Sequence, residues 1–235
     1  YPLRRQRQMC IRDSQLTDCE GYSPSQGLFS ARKAIMQYAQ LKKLPNVSID
    51  DIYTGNGVSE LINLCMSALL DDGDEILIPS PDYPLWTACA TLAGGKAVHY
   101  ICDEQSEWYP DIDDMRKKIT DRTKAIVIIN PNNPTGTYVP IGELEAFADT
   151  LPEDVLLVMD EAYMEFATEP DCCSMVDYMK AHPEKPILVL RTFSKYYAMA
   201  GLRVGYALGS EELIGIMRKC SASWNLNVCA QKAAE

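Results

Sequence analysis

Ala125-Ile-Val-Ile-Ile-Asn-Pro-Asn-Asn-Pro-Thr-Gly136 decides the fold. Ala125 to Ile129 are apolar without alternation, which predicts a strand buried on both faces rather than one with a solvated side. The Asn, Pro and Gly cluster then stops the strand and opens a loop. Val155-Leu-Leu-Val-Met159 repeats the pattern and runs straight into Asp160-Glu-Ala-Tyr163. Working outward, strand-like runs are predicted at 75–78, 97–101, 187–190 and 204–208. Helical stretches are predicted near 83–92, 112–119, 142–150, 174–181 and 211–219. Two amphipathic helices precede them, over 27–43 and 58–70. Buried strands alternating with helices imply an α/β architecture: a mainly parallel, doubly wound sheet with helices on both faces. Ligands of such sheets bind at the carboxyl ends of the strands. Asn130 and Asp160 are therefore predicted on that edge, and Lys195 reaches it by a short loop.

The 235 residues suit one large α/β domain, and the 47% hydrophobic content is that of a folded chain. A net charge of −11 argues against binding to nucleic acid or an anionic membrane, because the whole-molecule field repels polyanions. Nine cysteines without a C-x-x-C pair, and two histidines, make zinc, iron-sulfur and dithiol readings weak, and no metal is expected. Their odd number and the lack of a signal peptide lead us to expect reduced thiols and a cytoplasmic location. Residues 1–14 differ from the rest: Arg4-Arg-Gln-Arg-Gln-Met-Cys-Ile-Arg-Asp-Ser14 holds four of the 22 basic residues and no apolar periodicity. It resembles the in-frame translation of a transposase adapter, so residues 1–14 are expected to be non-native.

The chemistry is concentrated in Arg191-Thr-Phe-Ser-Lys-Tyr-Tyr-Ala-Met-Ala-Gly-Leu-Arg203-Val-Gly205. A lysine flanked by hydroxyls, with an arginine eight residues on, suits an aldehyde cofactor bearing a phosphate. The amine forms a Schiff base, and the hydroxyls and guanidinium hold the anion. Pyridoxal 5'-phosphate (PLP) fits that description. A lone lysine is more often a surface charge, but the 130–136 and 160–163 segments agree with this reading.

Gly55 to Ser59, Asn132-Asn-Pro-Thr-Gly136, Asp160 with Tyr163, and Lys195 with Arg203 together resemble the class I/II aminotransferases of the aspartate aminotransferase fold. The likeness covers residues 16–235. It implies the large domain of the type I fold of PLP-dependent transferases, acting as a homodimer. On that resemblance Lys195 carries the Schiff base and afterwards moves a proton. Burial beside cationic groups depresses such a lysine below its ordinary value of about 10.4. Asp160 pairs with the pyridine nitrogen, and Asn133 and Tyr163 bond the phenolic oxygen. Tyr83, in Pro81-Asp-Tyr-Pro84, stacks on the ring. Gly57 starts the helix whose Val58 and Ser59 amides face the phosphate. Thr192, Ser194 and Arg203 complete the cup, where a buried arginine without an anion would be costly. Tyr22 is expected to serve the neighbouring subunit's phosphate site.

The resemblance also sets limits. The family's C-terminal small domain, whose arginine binds the substrate carboxylate, is expected beyond Glu235. Residues 15–235 then form a large domain incomplete at both ends, and this piece alone is expected to be weak or inactive. The first half most resembles bacterial alanine aminotransferases and the second half histidinol-phosphate aminotransferases. Either a natural hybrid or two joined reads would give that pattern. The implied activity moves an amino group between an amino acid, or an amino alcohol phosphate, and a 2-oxo acid. A PLP-dependent lyase or decarboxylase, or a non-catalytic aminotransferase-like regulatory domain, would carry the same motifs.

Overall fold

The computed structural model describes residues 22–44 and 46–235. The segment 1–14 lies outside them. One seven-stranded sheet forms the centre: β1 (Ile52–Gly55), β2 (Glu75–Ser80), β3 (Lys96–Ile101), β4 (Thr123–Ile129), β5 (Leu156–Asp160), β6 (Ile187–Thr192) and β7 (Gly205–Leu208). Their order across the sheet is β1-β7-β6-β5-β4-β2-β3. Only β7 runs against its neighbours, pairing antiparallel with both β1 and β6. The mainly parallel sheet expected from the sequence is present.

The unalternating apolar runs form strands because both faces are covered. In β4, Ile126 and Ile128 join one apolar cluster while Ala125, Val127 and Ile129 join the other. β5 divides likewise, with Leu157 and Met159 on one side and Leu156 and Val158 on the other. The first layer is closed by α1 (Phe29–Leu41), α4 (Ile112–Lys118), α5 (Ile141–Asp149), α6 (Val176–Ala181) and α8 (Val228–Ala233). The second is closed by α2 (Val58–Leu69), α3 (Leu85–Leu92) and α7 (Glu211–Cys220). Each fully buried Val, Leu or Ile contributes about 1.5–3 kcal/mol. A charge at Val158, which has no exposed surface, would break both the strand and its layer.

Direction in the sheet positions the site. The strands β1, β2, β4, β5 and β6 all end on one edge, and β7, running the other way, begins there. The connection from β6 to β7 therefore leaves and re-enters the sheet at the same edge, carrying Lys195 and Arg203 with it. Two elements were not expected from the sequence. β1 has only four residues and leads at once into a helix, and α8 is a six-residue helix capped by Asn227, whose side chain accepts from Ala230 N.

Candidate functional site

At the end of β4, Asn130 is fully buried and clamps the loop that follows. Its Nδ2 donates to Val139 O at 3.2 Å, and its Oδ1 accepts from Val139 N at 2.8 Å. Inside that loop Asn132 Oδ1 accepts from both N and Oγ1 of Thr135, a side-chain bond that closes the turn three residues on. The loop so shaped holds Asn133 at the sheet edge, where its Nδ2 lies 3.5 Å from Tyr163 OH.

Asp160 ends β5 and is 4% exposed. Its Oδ2 accepts from Trp86 Nε1 at 3.1 Å and its Oδ1 from Ala162 N at 3.2 Å. Burial pushes its carboxyl up to about 6; the Trp86 and Ala162 bonds and the charge of Lys195 oppose that, and Glu161 adds to it. From the end of β6, Thr192 Oγ1 accepts from Ser194 N at 3.1 Å, and Lys195 Nζ lies 5.2 Å from the centroid of the Tyr163 ring.

The opposite wall is the start of α2. Gly57 is its N-cap, with φ of 78° and no side-chain cap, which leaves the first amides of the helix free for a ligand. A Cβ on Gly57 would stand 2.6 Å from Arg203 Nη2. Arg203 itself has a left-handed backbone, φ 57°, and donates from Nη1 to Ala200 O at 3.0 Å. Residues forced into that region cost of order 1–3 kcal/mol and gather at ligand sites. Gly205 lets β7 pass under α2: a Cβ there would meet Val58 N at 3.0 Å.

Val58, Ser59, Tyr83, Asn133, Asp160, Tyr163, Thr192, Ser194, Lys195 and Arg203 line a single cleft of about 190 Å³, with Gly57 against Arg203 at its rim. Tyr22 is apart from it, 80% exposed and stacked on Trp224 at 4.4 Å between centroids. The expected burial of Lys195 and Arg203 is not found: both are exposed at the cleft mouth, because their loop lies outside the packed layers. A larger hollow of about 530 Å³ adjoins the cleft and shares Asn133 and Tyr163 with it.

Periodicity and spacing missed Trp86, whose bond to Asp160 spans 74 residues. They also missed the buried pairing of Arg191. Its Nη2 and Nε donate to Glu161 Oε2 at 2.7 and 3.0 Å, and Nη1 donates to Glu165 Oε1 at 3.3 Å. Ser174 Oγ and Met175 N satisfy the other Glu161 oxygen, so the pair ties β5 to β6 beside the site. The only local sign of it was Glu161 and Arg191 standing at equivalent strand ends.

The residues fit PLP on two counts: a buried carboxylate beside an exposed amine, and a glycine-lined helix start facing a guanidinium, which only a residue without Cβ allows. Among the described residues no group of three His, Cys, Asp or Glu could hold a metal, and no helix is long and apolar enough to cross a membrane.

Comparison with known proteins agrees with this geometry. The family described as "Aminotransferase class I and II" matches residues 3–235. The Escherichia coli K12 protein named Glutamate-pyruvate aminotransferase AlaA is 44% identical over an alignment of 236 positions, covering 94% of this chain and 56% of that protein. Histidinol-phosphate aminotransferase 2 of Carboxydothermus hydrogenoformans is 37% identical over 222 residues, 94% of this chain and 58% of its own length. The alanine aminotransferase structure from Pyrococcus furiosus superposes with a TM-score of 0.85 at 36% identity, over 96% of this chain and 58% of that one. This chain thus spans little more than half the length of these relatives. It belongs to the class I and II aminotransferase family.

Proposed function

We propose that residues 15–235 form the cofactor-binding large domain of a PLP-dependent aminotransferase that moves an amino group between an amino acid and a 2-oxo acid. One observation carries the reading: the amine of Lys195, the buried Asp160 carboxylate, the Asn133–Tyr163 pair and Arg203 open into the same cleft. When bound, PLP supplies an aldehyde carbon and a pyridinium ring that withdraws the electrons left when a substrate loses its α-proton. The chain's own groups do the rest. Val58 and Ser59 amides, the hydroxyls of Thr192 and Ser194, and the Arg203 guanidinium would hold the phosphate. Asp160 would pair with the ring nitrogen and favour its protonated form. Asn133 Nδ2 and Tyr163 OH would donate to the phenolic oxygen, and Tyr83 would supply an aromatic wall. Lys195 Nζ would be the attachment point, and its amine would serve as the base for the substrate α-proton.

Of the substrate classes named among the relatives, glutamate with pyruvate, whose amino-group exchange gives 2-oxoglutarate and alanine, has the stronger support, at 44% identity against 37% for histidinol phosphate. The active form is a homodimer in which exposed Tyr22 serves the neighbouring phosphate site. Purified protein incubated with PLP, reduced by borohydride and digested should carry the pyridoxyl mass on Lys195. Label on another lysine, or none in a folded sample, overturns the proposal. Turnover with a panel of amino donors and 2-oxo acids, measured on the full-length protein, identifies the substrate.

A further inference from the structure

Trp86 has no exposed surface and sits in the first turn of α3, packed in the layer that holds Leu61, Ile78 and Val158. Its indole N–H can only donate, and a buried donor needs an acceptor. Backbone carbonyls usually serve. Here the acceptor is Asp160 Oδ2, at 3.1 Å. The same residue's backbone N donates to Tyr83 O at 3.0 Å, so one short segment places the cleft's aromatic wall and grips the carboxylate opposite. We propose that Trp86 is a positioning residue for the cofactor: its indole N–H, with Ala162 N, holds the Asp160 carboxylate in the one orientation that presents it to the cleft. The proposal rests on the PLP reading of that cleft. A bond of this kind favours the carboxylate form against the burial that opposes it, and a charge-assisted bond is about twice as strong as a neutral one. The other charged or titratable groups around Asp160 are Lys195, Glu161, Tyr83, Tyr163 and Arg203, and a substitution at Trp86 alone removes none of them.

The test compares wild type with Trp86→Phe and with a second variant carrying benzothienylalanine at residue 86, which keeps the shape of the indole and replaces its N–H by sulfur. In the apoprotein, carbon NMR of the Asp160 carboxyl should titrate about one pH unit higher in both variants, the equivalent of losing one hydrogen bond to a charged group. In the holoprotein, the nitrogen-15 resonance of the cofactor ring should move from its wild-type position, because the carboxylate facing it is more basic and less fixed, while borohydride still labels Lys195. An unchanged Asp160 titration in the benzothienylalanine variant overturns the proposal, whatever the Phe variant does to folding. If Lys195 takes no label even in wild type, the cofactor reading fails instead, and the apoprotein titration still decides whether the indole grips the carboxylate.

Discussion

Asp160 predicts a stability curve that slopes in an unusual direction for a carboxylate. Its group rises from an ordinary 3.8 to about 6, chiefly through burial. A gap of about two pH units, at 1.36 kcal/mol each, amounts to about 3 kcal/mol. Below the lower value the group is protonated whether the chain is folded or not, and it contributes nothing. Between the two values the unfolded chain has released a proton that the folded chain keeps, so stability falls as pH rises, and above the upper value the whole penalty applies. Asp160→Asn removes the titration and changes the local hydrogen bonds by an amount that does not depend on pH. The stability of wild-type apoprotein minus that of the variant should therefore drop by about 2 kcal/mol between pH 4 and pH 7, most of the full penalty and a large share of a typical domain's total. Urea denaturation followed by circular dichroism, at half-unit pH steps, measures it. Curves that stay parallel across that window would refute the assigned burial. Saturating PLP should cancel the fall, because a ring cation repays the buried anion; with the cofactor bound, the same substitution should cost far more in turnover than in folding.

Three further outcomes follow from named contacts. Glu161→Ala leaves the Arg191 guanidinium, 5% exposed, without its main partner, and chemical denaturation should record a loss of about 3–5 kcal/mol. Gly57→Ala drives a Cβ into Arg203 at a positive φ, so PLP affinity, read by absorbance titration, should fall about tenfold or more, equivalent to 1.4 kcal/mol. Arg203→Lys loses the planar fork and should weaken PLP by about tenfold while leaving the affinity for phosphate-free pyridoxal unchanged; an equal loss for both ligands would remove Arg203 from the phosphate site.

The central strands were readable because β4, β5 and β6 are buried on both faces, which spares them the alternation that makes short strands ambiguous. Asn130, Asp160 and Lys195 were readable because each lies at or just beyond the end of such a run. β1 was not, since Ile52-Tyr-Thr-Gly55 gains its strand character from pairing with β7, a partner far along the chain. Trp86 and the Arg191–Glu161 pair escaped for the same reason: a hydrogen bond between distant segments leaves no period in either one. The exposure of Lys195 and Arg203 was misjudged because chemistry that calls for a desolvated amine and a paired arginine says nothing about the loop before a ligand covers it.

The ladder between β1 and β7 joins residues 52–55 to residues 205–208. The proposed phosphate cup straddles that seam, with Gly57, Val58 and Ser59 just past one strand and Arg203 just before the other. Contacts so far apart in sequence are entropically slow to close, and a ribosome must deliver residue 208 before the seam can form at all. A ligand held at that joint would add its binding free energy to the stability of the ladder, fastening together two segments that lie about 150 residues apart in the chain.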